Sequence, residues 1–154
     1  KNKYKFMGDL KMINTIDTNK IDTNSKSIIL IIASANKNEI DLHYTYIKVL
    51  IKKYPNIQII YVPRHLNWLK YFKKKFSNLN YEFIDSIHIN SSQILVCWKI
   101  GLLNKLYSKS NICLMGDTFN NVGGHNLIEP AINKNMILTG PSTYTCNHHQ
   151  LYLL

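Results

Sequence analysis

Apolar residues run along this chain in two rhythms. Ile28, Ile29, Leu30, Ile31 and Ile32 form an unbroken apolar run, mostly β-branched, and residues 57–62 are again mostly apolar; such runs suit strands buried on both faces. Between them Tyr44, Ile47, Leu50, Ile51 and Tyr54 recur at helical spacing. Asp41 lies near the start of that helix and Lys52 and Lys53 near its end, as the helix dipole favours, and Pro55-Asn56 stops it. The alternation then repeats. Trp68, Phe72, Phe76 and Leu79 stripe a helix over residues 67–78, residues 81–84 and 94–98 read as strands, and Leu102, Leu103 and Leu106 mark a helix over 101–109. Residues 112–115 predict a strand, 126–134 a helix and 136–139 a final strand. Strands and helices alternating through short connections predict an α/β fold, a doubly wound parallel sheet of the Rossmann type.

Residues 1–26 are polar, rich in Lys, Asn, Asp and Thr, and show little rhythm, so they read as a linker leading into one domain over residues 27–154. The chain starts at Lys1 and ends in the apolar run Leu151-Tyr152-Leu153-Leu154, which has the look of a helix interrupted in its first turn. The expectation is a fragment of a longer protein, truncated at its C-terminus.

The rest is organised around residues 115–130. A short apolar strand passes into a loop with Gly123 and Gly124, which let the backbone turn or approach a ligand closely, and then into a helix start that Asn126 can cap and whose first turn carries Glu129. Pro130 fits there, because a missing N–H in the first helical turn costs little. A strand, a glycine-rich loop and a helix start are how a nucleotide or anion site is built. The plainer reading is that Asn126 and Glu129 approximate a capping box and the glycines only make a turn.

Charge adds a second candidate. The net charge is +10, but residues 1–80 carry 15 Lys and Arg against 5 Asp and Glu, while residues 81–154 carry 4 against 4. Eighteen of the 19 basic residues are lysines and Arg64 is the lone arginine. It follows a predicted strand, at the carboxyl end where open α/β sheets bind their ligands, and a guanidinium there can grip a phosphate or carboxylate with two hydrogen bonds. Position by itself leaves a solvated turn arginine as the alternative. Lys70, Lys73, Lys74 and Lys75 beside aromatics suit either anionic lipid headgroups or an ordinary solvated helix face.

Cys97, Cys113 and Cys146 lie far apart, two of them inside apolar runs, which points to buried thiols in a reducing setting rather than a disulfide framework. Cys146-x-His148-His149 lacks a second Cys/His pair of suitable spacing, so no metal site is expected. No apolar stretch reaches the roughly 18–20 residues that span a bilayer.

Several segments carry a resemblance to a known family. Gly123-Gly124-His125-Asn126-x-x-Glu129-Pro130-Ala131, the later Gly140-Pro141-x-Thr143-Tyr144, and Val62-Pro63-Arg64-His65 are similar to motifs in the nucleotide-sugar half of the 3-deoxy-D-manno-octulosonic acid (Kdo) transferases of lipopolysaccharide synthesis. Met7-Gly8-Asp9-Leu10-Lys11 resembles the family's Gly-Asn-Leu-Lys segment near the passage between the two halves. Trp98-Lys99-Ile100-Gly101-Leu102-Leu103 stands in the place of the family's Asp-Thr-x-Gly-Glu-Leu. Four positions depart from the family. Asp117 stands where the family has a second glycine, Leu127 replaces a proline, Ser142 a histidine, and Leu102 the glutamate.

The resemblance implies the C-terminal domain of a GT-B glycosyltransferase that moves Kdo from CMP-Kdo to a lipid A precursor at the cytoplasmic face of the bacterial inner membrane. By residue-wise carry-over, Pro63, Arg64, Ile100, Gly101, Leu102, Asn126, Leu127, Ile128 and Glu129 would line the CMP moiety, Arg64 against the phosphate and Glu129 against ribose hydroxyls. The family's catalytic carboxylate lies in the N-terminal half, so no catalytic residue is expected in this chain, nor any cofactor or metal. The implied partners are the CMP-Kdo donor, the lipid A precursor, the N-terminal half of the same enzyme and a membrane surface. Two other readings stand beside this one: a GT-B transferase using a UDP-sugar, and a basic α/β module docking on nucleic acid or anionic membrane. Known RNA-binding signatures are missing, so no nucleic-acid partner is expected.

Overall fold

The computed structural model describes residues 28–146. The expected linker, the Met7–Lys11 match, His148, His149 and the terminal apolar run lie outside the described residues. Six strands form one sheet in the order β3-β4-β2-β1-β5-β6, every pairing parallel. They are β1 (Ile28–Ala35), β2 (Ile57–Pro63), β3 (Glu82–Ile84), β4 (Ile94–Cys97), β5 (Ile112–Met115) and β6 (Met136–Leu138). The helices are α1 (Ile40–Lys53), α2 (Leu69–Lys75), α3 (Leu103–Tyr107) and α4 (Ile128–Ile132).

Period-two geometry divides the core. Leu30, Ile32, Ile59, Tyr61, Ile94 and Val96 pack on one face with Ile47 of α1 and Phe72 and Phe76 at α2. Ile31, Ala33, Ile60, Val62, Leu95 and Cys97 pack on the other with Leu106 and Tyr107 of α3 and with Leu127. Successive residues of one strand thus serve opposite layers, which is why the strands read as unbroken apolar runs. The thiols of Cys97, Cys113 and Cys146 are buried and free, and burial pushes the Cys113 thiol up to about 12.

Three helices are shorter than their periodicity predicts. Gly101 adopts φ 86°, a left-handed turn that ends the strand-to-helix connection, so α3 starts at Leu103 rather than at residue 101. The residue 67–78 helix is a 3₁₀ turn over Leu66–Trp68 followed by α2. Asn126 stands one residue outside the N-cap of α4: its Oδ1 accepts the Ile128 N–H at 2.9 Å, while Leu127 takes the N-cap position. At the far end Lys134 turns left-handed at φ 60°, with the Asn135 N–H bonded to the Pro130 carbonyl at 3.0 Å. That is a Schellman-type stop made without glycine.

The chain runs from β1 outward through β2 to β3 and β4, then crosses back to β5, so the connections reverse direction between β1 and β5. The gap above these two strands is the topological switch point. Gly116, just after β5, lies so close to β1 that a Cβ there would sit 2.4 Å from the Ser34 carbonyl oxygen and 2.8 Å from that of Ala33. Both obstacles are backbone. Gly116→Ala is therefore expected to destabilise the domain by about 1–3 kcal/mol or more, the cost of overpacking a rigid contact; a urea midpoint equal to that of the parent would refute this.

Candidate functional site

At the carboxyl ends of β1, β2 and β4 the surface opens into a cleft of about 420 Å³. Its wall takes Ser34 from β1, Pro63 and Arg64 from the end of β2, Cys97 from the end of β4, and Lys99, Ile100 and Gly101 from the turn that follows. Two groups of sequence-predicted residues, Pro63 with Arg64 and Ile100 with Gly101, thus meet on one cavity although they lie on different strands. The Arg64 N–H donates to the Ala35 carbonyl at 3.0 Å, which ties this turn to the end of β1 and leaves the side chain exposed. Ile100 is 82% exposed at the rim. Arg64 and Lys99 are the cations of the lining, and no carboxylate is among its residues.

The other predicted residues do not line that cleft. Leu102 packs against the core layer that contains Leu127. Leu127 and Ile128 are buried, so whatever they offer a ligand comes from the backbone. Asn126 and Glu129 are half-buried, and the Asn126 amide donates to Glu129 Oε1 at 3.0 Å. In a capping box the glutamate instead receives the N-cap backbone N–H. The Asn126–Glu129 pair here joins two side chains and leaves Glu129 Oε2 without a hydrogen bond among the described residues.

The loop between β5 and α4 is held by groups that periodicity does not single out. Glu39, 2% exposed at the end of the 3₁₀ turn before α1, takes the Asp117 N–H on Oε2 and the Phe119 N–H on Oε1, each at 2.8 Å. Burial pushes its carboxyl above the usual range, the nearby Asp117 carboxylate adds to the rise, and the two N–H bonds oppose it. Asp117 is buried too, at φ 61°. Its Oδ1 accepts from the Asn36 amide across the switch point and from Asn120 at 3.2 Å, and its Oδ2 lies 2.6 Å from His125 Nε2. The carboxylate therefore turns into the protein. Asn36 and Glu39 carry the three-residue spacing of a helix start, and Asn36 does cap the 3₁₀ turn by accepting the Asn38 N–H at 2.8 Å. That spacing is the one local signal at Glu39, since the apolar pattern alone starts the helix only at Asp41.

The later glycine–proline segment packs onto the same loop. The Gly140 N–H donates to Thr118 Oγ1 at 2.8 Å, Ser142 N–H to the Thr118 carbonyl at 2.9 Å, and the Tyr144 hydroxyl to the Asn121 carbonyl at 2.6 Å. Two stretches of the resemblance, separate in sequence, form one surface.

Comparison with known proteins bears on this geometry. No protein-family profile matches the chain. A 3-deoxy-D-manno-octulosonic acid transferase of Aquifex aeolicus is 30% identical over 128 residues, 83% of this chain and 36% of that protein. The enzyme of the same name from Haemophilus influenzae is 28% identical over 146 residues, 92% of this chain and 34% of its own length. A bifunctional glycosyltransferase/methyltransferase of Fusobacterium nucleatum is 37% identical over 100 residues, 61% of this chain and 16% of its own length. The chain thus spans about a third or less of these curated relatives. Among solved structures, the C-terminal CMP-Kdo binding domain of WaaA from Acinetobacter baumannii superposes with a TM-score of 0.69 at 25% identity, covering 82% of this chain and 68% of that one. The chain is similar to the Kdo transferases over about a third of their length, and its Rossmann-like α/β fold is like that of the solved C-terminal domain.

Proposed function

We propose that this domain binds CMP-Kdo as the donor half of a glycosyltransferase that passes Kdo to a lipid A precursor. The observation that carries the reading is the cleft at the carboxyl ends of β1, β2 and β4, which gathers Arg64 and Lys99 with no opposing carboxylate. A nucleoside monophosphate ester needs a cation for its phosphate and a concave wall for its base, and this cleft has both. Pro63, Arg64, Ile100 and Gly101 are its proposed first contacts. Glu129, whose Oε2 has no hydrogen bond among the described residues, is the proposed acceptor for ribose hydroxyls. The general base and the acceptor site belong, in this reading, to an N-terminal half of the same enzyme.

The acceptor is a lipid, so the enzyme works at a membrane surface, by this proposal the cytoplasmic face of the inner membrane. No helix among the described residues is long and apolar enough to cross a bilayer. Supporting peripheral contact, Lys70 lies 5.1 Å from the Tyr71 ring centre and Lys73 5.0 Å from that of Phe83, so α2 carries cations beside exposed aromatic rings.

Calorimetric titration with CMP and with UDP tests the donor assignment. Saturable binding of CMP in preference to UDP is expected, and a preference for UDP would move the domain to another class of GT-B transferase. Arg64→Lys keeps the charge and loses the two-pronged guanidinium, so CMP affinity should fall by about 1–3 kcal/mol with the melting temperature unchanged. Equal affinity for the two proteins would take Arg64 out of the site.

A further inference from the structure

The loop after β5 contains a histidine held by a buried carboxylate, and it is not among the residues that line the cleft. His125 Nε2 lies 2.6 Å from Asp117 Oδ2. A carboxylate accepts only, so Nε2 bears the proton, and in the neutral ring Nδ1 is then left as an acceptor. The His125 side chain is 23% exposed, and among the described residues no hydrogen bond reaches its Nδ1.

Asp117 is itself fixed on every side. Its N–H is taken by Glu39, its carbonyl accepts the Gly124 N–H at 2.9 Å, and its other carboxylate oxygen is held by Asn36 and Asn120. The backbone does not call for an aspartate here, because glycine meets a φ of 61° without steric cost. The carboxylate therefore owes its place to its oxygens, one of which orients His125 directly before Asn126 at the mouth of the loop.

We propose that Asp117 is a positioning residue for donor binding: it holds the His125 ring with Nε2–H inward, so that Nδ1 accepts a hydrogen bond from a hydroxyl of the nucleotide-sugar. The proposal rests on the donor-site reading above. Two parts of such a donor carry hydroxyls, the ribose and the transferred sugar, and the chemistry at Nδ1 is the same for both. Asp117→Gly removes the carboxylate while suiting the left-handed backbone. Asp117→Asn leaves one oxygen, which the Asn36 and Asn120 amides hold, so its NH2 faces His125 Nε2 and makes that nitrogen the acceptor. His125→Ala removes the ring from a half-exposed position.

The test combines ¹⁵N NMR of the histidine rings with titrations of CMP and of enzymatically generated CMP-Kdo. In the unaltered chain the His125 ring should show the Nε2–H form, in Asp117→Asn it should move to the Nδ1–H form, and in Asp117→Gly it should relax toward a mixture of tautomers. Asp117→Gly and His125→Ala should both bind about three- to tenfold more weakly, the range for one neutral hydrogen bond. A loss seen with CMP assigns the hydroxyl to the ribose, and a loss seen only with CMP-Kdo assigns it to the transferred sugar. Unchanged affinity for both ligands in Asp117→Gly, or a His125 ring spectrum indifferent to residue 117, would overturn the proposal while leaving the donor site standing. If the unaltered chain binds neither ligand, the donor-site reading and the proposal fall together.

Discussion

Glu39→Ala is expected to destabilise the domain by about 2–4 kcal/mol and to loosen the loop after β5. The carboxylate receives two backbone N–H groups from residues 117 and 119, and both lie where water does not readily replace it. A hydrogen bond to a charged group is worth roughly 1.5–3 kcal/mol, and a buried donor left unpaired costs a similar amount. Against this stands relief of the repulsion between Glu39 and Asp117, the like charge that helps raise the Glu39 carboxyl. The loss of two bonds outweighs that relief, because the carboxylates are already separated by their own hydrogen bonds to different groups. Chemical denaturation measures the stability, and amide exchange at Asp117 and Phe119 locates the damage. Stability within about 0.5 kcal/mol of the parent, the ordinary effect of a surface change, would mean that Glu39 does not anchor the loop.

Acidification below neutrality is the second large effect. His43 is fully buried on α1, with neither ring nitrogen hydrogen-bonded among the described residues, and its ring meets Tyr61 edge-on at 5.8 Å. Burial lowers its pKa from 6.5 to about 4. Its Nε2 is 3.9 Å from Glu39 Oε2, too far for a hydrogen bond, and desolvation dominates over that attraction. Between those two values the unfolded chain binds a proton that the folded chain refuses, so stability rises with pH across this window and falls on acidification by up to about 1.4 kcal/mol per pH unit. Glu39 acts in the opposite sense. Its raised carboxyl favours the folded state once protonated, a contribution gained as pH falls toward 4.5 and lost as pH rises through its folded value. The His43 slope should therefore be clearest just below 6.5 and be partly offset nearer 4.5. His43→Phe keeps an aromatic ring against Tyr61 without a titrating nitrogen, so its stability should vary less between pH 7.5 and pH 5. Identical pH slopes for the two proteins would remove His43 from the account.

How much of this was legible in the sequence follows from the range of each interaction. The strands could be read because a strand buried on both faces needs apolar residues at every position, as at Leu30, Ile31 and Ile32. Helix ends were harder. Lys134 turns left-handed where glycine would have signalled the stop, and Gly101 stops a helix from starting where leucine spacing invites one. Of the candidate site, Arg64 stood out as the lone arginine at a strand end, while Pro63 and the turn at Ile100 and Gly101 were picked out through the resemblance. Glu39 was not. It binds an N–H group 78 residues further along the chain, and no local pattern reports a partner at that distance. Asp117 could be picked out as a departure from the family, but that its carboxylate turns inward to Asn36 and His125 depends on the close approach of β5 to β1.

Whether the carboxyl ends of β1, β2 and β4 hold a cytidine nucleotide is read most directly from backbone amide NMR signals while CMP is added to the chain. Saturable shifts are expected at Arg64, Lys99 and Gly101, with Asn126 and Glu129 responding in the same titration. Shifts confined to residues 55–58 at the opposite end of the sheet, or no saturable shift at all, would contradict this placement.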